Sequence, residues 1–517
     1  MNESHNKKSF KIYIWKGASL VLRFLTLFSV TPFLAREPEI YGIYAVCTSI
    51  TLFLNYADFG FLRSSQKFAS ESYARNDIDE EIRFVGFGIF ILTIFTLILT
   101  LLFFYLSQNP HLLFNDLESK NQNTASQLLI IMAAFTPFTI INRFVILVFS
   151  IRLADYIYQR LIIIANLIIL TSVFYFFRDG NYQIVNYLFF LKLINVFAIL
   201  TGLILVHKRY NYKIAYFIKQ IRFKRNIYDR TSGLAFSGLF LIMAYVIYYE
   251  LDHIAVSKIF GVESVAIYSV ALAIPLVFRS LFGIYFSPLA VRANYYAGLG
   301  DEEGLRRFTR KVISFSTPIV VIPTVALSLV AKPLILSWVG YHYEESINMF
   351  RILALLSTLS FISYPISAYI IATEKLRELY IVGSIQPILY WGGILSTFPS
   401  IGLWSFPIFK LLSAYLSEMY YFSIGIRHLA ITVKGFIRGT IIPLIGPLVF
   451  LVLTLHSIST YLLPTEKAMS NVFIILSITG LFIALSFVIL YFTSNITKTE
   501  FNKVARSILY KRTTNSQ

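Results

Sequence analysis

Long apolar stretches alternate with short polar segments along almost the entire chain. Fourteen of these stretches approach or exceed the ~20 apolar residues that a transmembrane helix needs. The pattern therefore predicts an all-α polytopic membrane protein with about 14 transmembrane helices. The predicted spans are 12–35, 40–62, 84–107, 128–151, 156–177, 184–206, 232–257, 264–286, 312–336, 347–373, 379–399, 402–424, 440–463 and 470–493.

The composition agrees with this pattern and excludes several classes of protein. Hydrophobic residues make up 57% of the 517 residues, charged residues only 14%, and the mean hydropathy is +0.68. Soluble domains carry about 25% charged residues, so this chain has too little polar surface for a water-facing globule. A soluble enzyme and a disordered or collagen-like chain are excluded. The single cysteine, Cys47, cannot form an intramolecular disulfide.

The net charge of +18, from 45 Lys and Arg against 27 Asp and Glu, is unusual for such an apolar chain. When the N-terminus is placed in the cytoplasm, about 32 of the basic residues fall in inward-facing segments and about six in outward-facing loops, which is a strong positive-inside signal. The distribution predicts a multi-pass protein with both termini cytoplasmic. Because the charge is spread over many loops rather than gathered on one face, nucleic acid is not an expected partner.

Two short motifs recur in the two halves of the chain. EIYGIYAV at 39–46 is repeated as ESVAIYSV at 263–270. A DEE motif that begins at Asp79 is repeated at Asp301, and the separation between its two copies is nearly the same as that between the two octapeptides. These matches predict an internal repeat that equates helices one to six with helices seven to twelve.

Mid-helix prolines supply a weaker third pair at a similar separation, Pro137 and Pro365. Because six helices is an even number, both copies of the repeat have the same orientation, and parallel repeats are a transporter architecture with the substrate site between the halves. The predicted divisions are an N-terminal lobe at 1–206, a basic cytoplasmic linker at 207–231, a C-terminal lobe at 232–424, and two further helices with a cytoplasmic tail at 425–517.

Seven basic residues fall inside the predicted spans, where each costs about 2.5–3.5 kcal/mol at the centre of a lipid-facing helix. They are therefore expected to face water, an acidic partner or an anionic ligand. Four lie deep in their spans and are candidates to line a cavity, with structural ion pairing as the alternative: Arg23, Arg143, Lys192 and Arg279. Three lie closer to the span ends, where reaching the headgroups is as good an explanation: Lys16, Arg351 and Lys410.

Acidic residues in the spans are fewer. Glu250 and His253 are spaced to share one side of a helix, where they could form a protonatable pair or an interhelical tie near the outer surface. The chain has neither a phosphate-binding loop nor the paired His and Cys spacing of a metal site. ATP hydrolysis and a bound metal are therefore not expected.

The N-terminal region carries TPFLAR at 31–36, EIYGIY at 39–44 and NYADFGF at 55–61, followed by Arg63 and a polar segment to Arg83. In these motifs the chain resembles the Wzx-type flippases of bacterial surface polysaccharides (O-antigen or capsule), which belong to the multidrug/oligosaccharidyl-lipid/polysaccharide (MOP) exporter superfamily. The fourteen-helix plan and the basic linker extend the resemblance over essentially the whole chain. The resemblance implies a MATE- and MurJ-like fold, with two pseudo-symmetric six-helix lobes plus two C-terminal helices.

The resemblance also implies a function other than that of an enzyme. The family moves an oligosaccharide repeat unit on undecaprenyl pyrophosphate from the inner to the outer leaflet of the bacterial cytoplasmic (inner) membrane, by alternating access of a cationic cavity between the lobes. No cofactor is implied beyond a proton or sodium gradient, for which Glu250 and Asp58 are the candidate coupling residues. By this match the headgroup contacts are Arg23, Arg143, Lys192 and Arg279, with Lys16, Arg351 and Lys410 as further candidates. The implied partners are the lipid-linked oligosaccharide, anionic membrane lipids, a polysaccharide polymerase and a chain-length regulator.

Two other functions stay open at this point. A MATE-type antiporter of drugs or cations would have the same fold, but its cationic substrates would require an acidic cavity, whereas the intramembrane bias here is basic. A membrane-embedded glycosyltransferase or polysaccharide polymerase would normally need a larger outer loop for its catalytic residues than the longest one predicted here, at about 108–127.

Overall fold

The computed structural model describes residues 5–493 apart from positions 57, 116, 179–181, 211 and 213. Over that part of the chain every regular element is a helix. The cytoplasmic tail predicted beyond residue 493 lies outside the described residues. The chain divides into two compact units, Met1–Ser269 and Val270–Gln517.

Over its described residues the first unit holds eleven α-helices and the beginning of a twelfth. Apolar runs form its long helices, and shorter helices lie at their ends. The bounds are α1 His5–Leu34, α2 Pro38–Leu52, α3 Phe61–Ala74, α4 Ile78–Gln108, α5 Ser119–Phe135, α6 Phe138–Ile151, α7 Asp155–Phe176, α8 Ile184–Tyr210, α9 Ile214–Gln220, α10 Arg225–Tyr249, α11 Asp252–Phe260 and α12 Val262–Gly298.

The second unit begins within α12 and continues to the last described helix. A π-helical turn at Ile437–Ile441 joins two of its elements. The bounds are α13 Glu302–Leu329, α14 Ala331–Val339, α15 Glu345–Ala354, α16 Ser360–Ala372, α17 Leu376–Ile401, α18 Ser405–Leu429, α19 Val433–Phe436, α20 Ile442–Tyr461 and α21 Met469–Thr493.

Each of the fourteen predicted spans coincides with a helix or with consecutive helices. Over the described residues, 11 helical segments are long and apolar enough to cross a membrane, or 12 if the bent pair of α5 and α6 is one span. One of these segments, Leu376–Leu429, holds both α17 and α18. The short helix α2, with 15 residues, accounts for the remaining predicted span. The predicted all-α polytopic fold class is confirmed.

The core of the first unit lies where α4 and α6 pack together. Phe84, Val85 and Phe87 of α4 and Val145 and Val148 of α6 are each no more than 1% exposed. Lipid is as apolar as these side chains, so close packing rather than transfer from water holds membrane helices together. The fit between helices therefore decides stability here.

The predicted linker 207–231 is folded against the first unit. It contains the end of α8, all of α9 and the start of α10. Phe217 and Gln220 of α9 are buried, and a Cβ atom at Gly86 of α4 would lie 2.6 Å from the backbone oxygen of Gln220. An approach this close requires glycine, so α9 is docked on α4 as part of the unit.

Gly86→Ala is expected to lower the free energy of unfolding by about 1–3 kcal/mol, because the new methyl group meets backbone atoms and forces the helices apart. Thermal unfolding of the detergent-purified protein measures this change, and limited proteolysis should cut the linker faster. Gly480→Ala is the matched control, since that position on α21 has nothing within 4 Å and alanine favours a helix. Wild-type stability of Gly86→Ala would contradict the docking.

A buried ion pair joins the start of α4 to the end of α6. Glu81 accepts two hydrogen bonds from Arg152, at 2.8 and 3.1 Å, and the two side chains are 0% and 6% exposed. The Arg152 guanidinium lies 4.8–5.5 Å over the rings of Tyr73, Tyr210 and Tyr212. Burial raises the pKa of the Tyr212 phenol and the nearby Glu81 carboxylate raises it further, so the phenol stays neutral beside the pair.

The two halves of the chain share one type of helix–turn–helix junction. In each, a residue in the left-handed conformation, Asn76 (φ 61°) or Gly300 (φ 69°), precedes an aspartate, Asp77 or Asp301. The aspartate side chain accepts a hydrogen bond from the backbone N–H three residues on, at 2.9 and 2.8 Å, which caps the following helix. These pairs have the same separation in the chain as the two copies of the EIYGIYAV motif. The alignment of the two DEE motifs is therefore wrong by two positions, because the capping aspartate is what the fold repeats.

The separation between equivalent positions of the two halves changes farther along the chain. The left-handed conformation also follows α6, at Leu153 (φ 52°), and α16, at Glu374 (φ 57°). The number of residues between this pair is slightly smaller than the number between the two capping aspartates. Pro137 separates α5 from α6, which are bent by 45°, whereas Pro365 lies inside α16. The proline pair is therefore not part of the repeat, and each proline produces only a local effect on its own helix.

Candidate functional site

A polar cluster in the first unit contains one of the predicted cations and one of the predicted carboxylates. Arg143 on α6 interacts electrostatically with Asp58, Arg63 and Tyr56. Asp58 stands in the turn before α3, where its carboxylate accepts a hydrogen bond from the backbone N–H of Leu62 at 3.2 Å. Because this one carboxylate meets two guanidinium groups, the group Tyr56, Asp58, Arg63 and Arg143 carries a net positive charge. We call it the Arg143 cluster.

A second predicted cation is linked to the Arg143 cluster through α7. Arg23, exposed on α1, interacts electrostatically with Tyr158. The hydroxyl of Tyr158 donates a hydrogen bond to Oδ1 of Asn142 at 2.7 Å, and Asn142 directly precedes Arg143. The structure thus brings Arg23, Arg143 and Asp58 into one polar region. Sequence reasoning missed Tyr158 and Asn142, since a tyrosine and an asparagine in apolar helices give no distinctive signal.

Lys16 also lies on α1 and has an acidic partner. Its ammonium is 3.6 Å from the carboxylate of Asp155, the first residue of α7. The Lys16 side chain is 46% exposed, so the pair is partly screened. Close by, Arg160 of α7 lies 4.8 Å over the ring of Trp15. These contacts tie α1 to α7, and a substrate contact for Lys16 stays a prediction.

Lys192 occupies the middle of α8 and is half-buried. Among the described residues its ammonium makes no hydrogen bond and no ion pair. A half-buried ammonium without an acidic neighbour is suited to an anionic ligand.

The three predicted cations of the second unit lie on three different helices. Arg279 of α12 is half-buried, one turn after Pro275. Lys410 of α18 is 1% exposed, with its ammonium 4.8 Å over the Tyr390 ring. Arg351 of α15 donates a hydrogen bond at 2.7 Å to the side chain of Asn348, one turn earlier on its own helix. These contacts give Arg351 and Lys410 structural roles, and their roles in binding stay predictions.

The candidate coupling residue Glu250 stands at a break in the helix. α10 ends at Tyr249 and α11 begins at Asp252, so the regular spacing that would place Glu250 and His253 on one side does not apply. Glu250 is buried at 6% exposure. Asp252, which is fully buried, accepts a hydrogen bond from the hydroxyl of Tyr268 at 2.7 Å.

The second unit adds a carboxylate outside the predicted site. Glu418 of α18 is hydrogen-bonded to Ser363 of α16, and its Oε2 is buried with no hydrogen-bond partner among the described residues. In the sequence it is an acidic residue near the end of an apolar run. That position does not distinguish a solvated helix end from a buried site.

A cavity of about 690 Å³ lies between α12 and α13. Its walls carry three cations and four aromatic rings. From the sequence these cations count only toward the positive-inside signal. The signal that could have found them is the spacing of Arg307 and Lys311, four residues apart on α13, which places both on one face of the helix. The cavity is lined by Tyr285, Leu289, Arg292, Tyr296, Asp301, Gly304, Arg307, Phe308, Lys311, Val312 and Phe315.

No protein-family model matches the chain, and no curated protein matches it. Solved structures do. A structure described as the lipid II flippase MurJ in an inward closed conformation matches with a TM-score of 0.67 and 13% identity, covering 92% of this chain and 98% of that chain. An inward-facing MATE-family multidrug resistance transporter of the MOP superfamily matches with a TM-score of 0.61 and 12% identity, covering 80% and 94%.

A MOP superfamily transporter from Pyrococcus furiosus, described as having a binding pocket of reverse polarity, matches with a TM-score of 0.53 and 15% identity, covering 82% of this chain and 95% of that chain. At these identities the likeness establishes the fold. The chain is an all-α, multi-pass membrane protein whose fold is that of the MurJ structure and of the MATE transporters of the MOP superfamily.

Proposed function

We propose that the protein is a flippase that moves an undecaprenyl-pyrophosphate-linked oligosaccharide repeat unit from the inner to the outer leaflet by alternating access, for the synthesis of O-antigen or capsule. The observation that carries this proposal is the positive polar region of the first unit, where Arg23 and Arg143 lie on membrane helices and Arg143 interacts with Asp58 and Arg63. The fold supports it, since one protein of this fold is described as a lipid II flippase.

The charge of the polar region suits a diphosphate headgroup. Moving a diphosphate into a low-dielectric region removes its hydration, which is costly unless cations replace the water. Arginine offers a planar fork of donors that bonds phosphate oxygens in pairs. Arg23 and Arg143 supply two such groups. Lys192, on α8, is a further proposed headgroup contact, and its ammonium has no acidic partner among the described residues.

Asp58 gives the flippase a way to couple to an ion gradient. In the proposed cycle Asp58 holds Arg143 while no substrate is bound, and the diphosphate then replaces the carboxylate as the partner of Arg143. A proton or a sodium ion arriving on Asp58 would release Arg143 at the same step. Glu250 is the second candidate for this role because it is buried at a helix break.

The second candidate function is a MATE-type antiporter, and Glu418 is the observation in its favour. A buried carboxylate oxygen without a hydrogen-bond partner among the described residues is suited to a cationic substrate. Proton- or sodium-driven uptake of a cationic dye by the reconstituted protein, abolished by Glu418→Gln, would favour this function over the flippase.

The proposed location is the bacterial cytoplasmic membrane, with both termini in the cytoplasm. The basic loops then face the anionic lipids of the inner leaflet. The translocated repeat unit would pass to a polysaccharide polymerase and its chain-length regulator on the outer side.

Reconstitution in liposomes tests the proposal. The protein is incorporated together with a fluorescent lipid-linked oligosaccharide, and a glycosidase that cannot cross the membrane is added outside. Protein-free liposomes should protect the inner half of the substrate, whereas liposomes with the wild-type protein should expose nearly all of it. Continued protection of the inner half would overturn the flippase, and growth of the glycan without its movement would show a polymerase instead.

A further inference from the structure

The two halves of the chain contain the same groove, and in the first unit a segment of the linker fills it. The groove lies between α3 and α4. The guanidinium of Arg230 on α10 lies over the rings of Phe68 and Phe84, at 5.1 and 4.8 Å. It also donates a hydrogen bond to Glu80 at 2.9 Å. Next to it the ring of Tyr228 stacks on Phe61 at 6.0 Å.

The groove between α12 and α13 occupies the equivalent place in the second unit, in the register set by the two capping aspartates, and there it is an open cavity. Phe308 takes the place of Phe84, and a guanidinium again lies over this ring, at 5.5 Å. In this groove the guanidinium is that of Arg292, a residue of α12 and thus of the groove wall, rather than of a segment that fills the groove. Three replacements make this groove more positive than its equivalent in the first unit. These are Phe68 by Arg292, Glu80 by Gly304, and Phe87 by Lys311.

We propose that the α12–α13 cavity binds the diphosphate headgroup of the lipid-linked substrate, as a loading site separate from the Arg143 cluster. This inference rests on the proposed function. In the first-unit groove the Glu80 carboxylate pairs with Arg230 as well as with Arg75. The second-unit groove lacks that carboxylate and has two added cations, so by the same geometry it holds an anion. The cavity lies at the helix ends that the charge distribution predicts to be cytoplasmic, the side on which the substrate is made.

The acidic residues near the cavity do not cancel its charge. Asp301 is the acidic residue in its lining, and its carboxylate is used to cap α13 through the backbone N–H of Gly304 at 2.8 Å. Glu302 lies 3.2 Å from Arg306. Glu303 lies 3.4 Å from Arg310 and 3.9 Å from Arg307, so Arg307 is partly neutralised, whereas Arg292 forms an ion pair with neither of these two described glutamates. Neither glutamate lines the cavity. The local balance is therefore positive, as a phosphate site requires.

The aromatic residues and the size of the cavity fit an amphiphilic phosphate ester better than inorganic phosphate. Small-molecule sites typically enclose about 300–1,000 Å³, and 690 Å³ falls in that range. Tyr285, Tyr296, Phe308 and Phe315 offer apolar ring faces beside the cations. Such faces pack against the sugar or the isoprenoid chain on either side of a diphosphate.

Binding measurements test the loading site apart from flipping. Undecaprenyl diphosphate is titrated into detergent-purified protein, with detection by native mass spectrometry, in an Arg143→Gln background that weakens the central site. We expect Arg292→Gln with Lys311→Gln to weaken binding about 100-fold, roughly tenfold per cation removed. The control pair Lys208→Gln with Arg225→Gln removes equal charge from exposed positions and should leave binding unchanged.

Three results would overturn the loading site. Unchanged binding after the Arg292 and Lys311 substitutions, in protein of wild-type thermal stability, would show that the cavity does not hold the diphosphate. Equal competition by phosphatidylglycerol would assign it to bulk lipid headgroups. Saturation by inorganic pyrophosphate alone would assign it to a soluble anion. Failure of the wild-type protein to flip, with diphosphate binding at this cavity intact, would overturn only the proposed function.

Discussion

Arg143→Gln is expected to slow transbilayer movement of the lipid-linked oligosaccharide by roughly 30-fold to 3,000-fold. Truncating one partner of a buried hydrogen-bonded charge pair typically costs about 2–5 kcal/mol, and each 1.4 kcal/mol is a factor of ten. The guanidinium is in contact with the diphosphate during the crossing in the proposed mechanism, so the cost appears in the rate. The liposome assay with external glycosidase measures that rate directly.

The role of Asp58 separates lost function from lost folding. Arg143→Gln leaves Asp58 with only Arg63 as its charged partner in the cluster, which can lower stability. Asp58→Asn combined with Arg143→Gln removes that imbalance, so the double variant should regain wild-type thermal stability and still fail to flip. A double variant that flips at the wild-type rate would show that Arg143 acts only as a partner of Asp58. Arg225→Gln, an exposed surface change, is the control for general charge effects.

Arg152→Gln is expected to lower the free energy of unfolding by about 3–5 kcal/mol. Breaking a buried ion pair leaves an uncompensated charge in a low-dielectric interior, and Glu81 is fully buried. Loss of the guanidinium also removes its stacking on Tyr73, Tyr210 and Tyr212. Unfolding in denaturant, followed by fluorescence of the detergent-purified protein, measures the change.

Two further variants identify the cause of that loss. Glu81→Gln with Arg152→Gln should recover part of the stability, because neither charge is then left alone, and the double-mutant cycle gives the coupling. Arg225→Gln breaks the exposed pair with Asp229, whose side chains are 77% and 56% exposed. That control should cost no more than about 1 kcal/mol. A similar cost for Arg152→Gln would contradict a buried pair.

The helices were predictable from the sequence because span length and apolarity are local properties. The apolar run at 470–493 and the helix Met469–Thr493 agree within a residue at either end. Capping is local too, but sequence identity favours matching Asp79 with Asp301, two positions away from the structural match of Asp77 with Asp301. Only the backbone shows which aspartate caps its helix.

The site was predictable in kind but not in arrangement. Arg23 and Arg143 stood out because a cation in an apolar run is costly anywhere in a membrane. Their surroundings depend on residues distant in the chain, since Asp58 precedes α3 whereas Arg143 lies on α6. Sequence spacing cannot show how far each helix is rotated against its neighbours, and rotation decides whether a charge meets a partner.

The sequence by itself determined that this is a many-spanning membrane protein with repeated halves and an excess of cations in its apolar helices. Hydropathy, charge and repetition are properties of the order of residues, so they can be read without coordinates. Only the tertiary structure decided which of those cations are tied to carboxylates or rings, and it placed three other cations in the lining of a cavity. It also showed that one groove of the repeat is filled by Arg230 while its equivalent is open beside Arg292. Those differences arise from packing between segments that are far apart in the chain. A single replacement between the two halves, such as the buried ring of Phe87 by the cation of Lys311, changes what such a groove can hold.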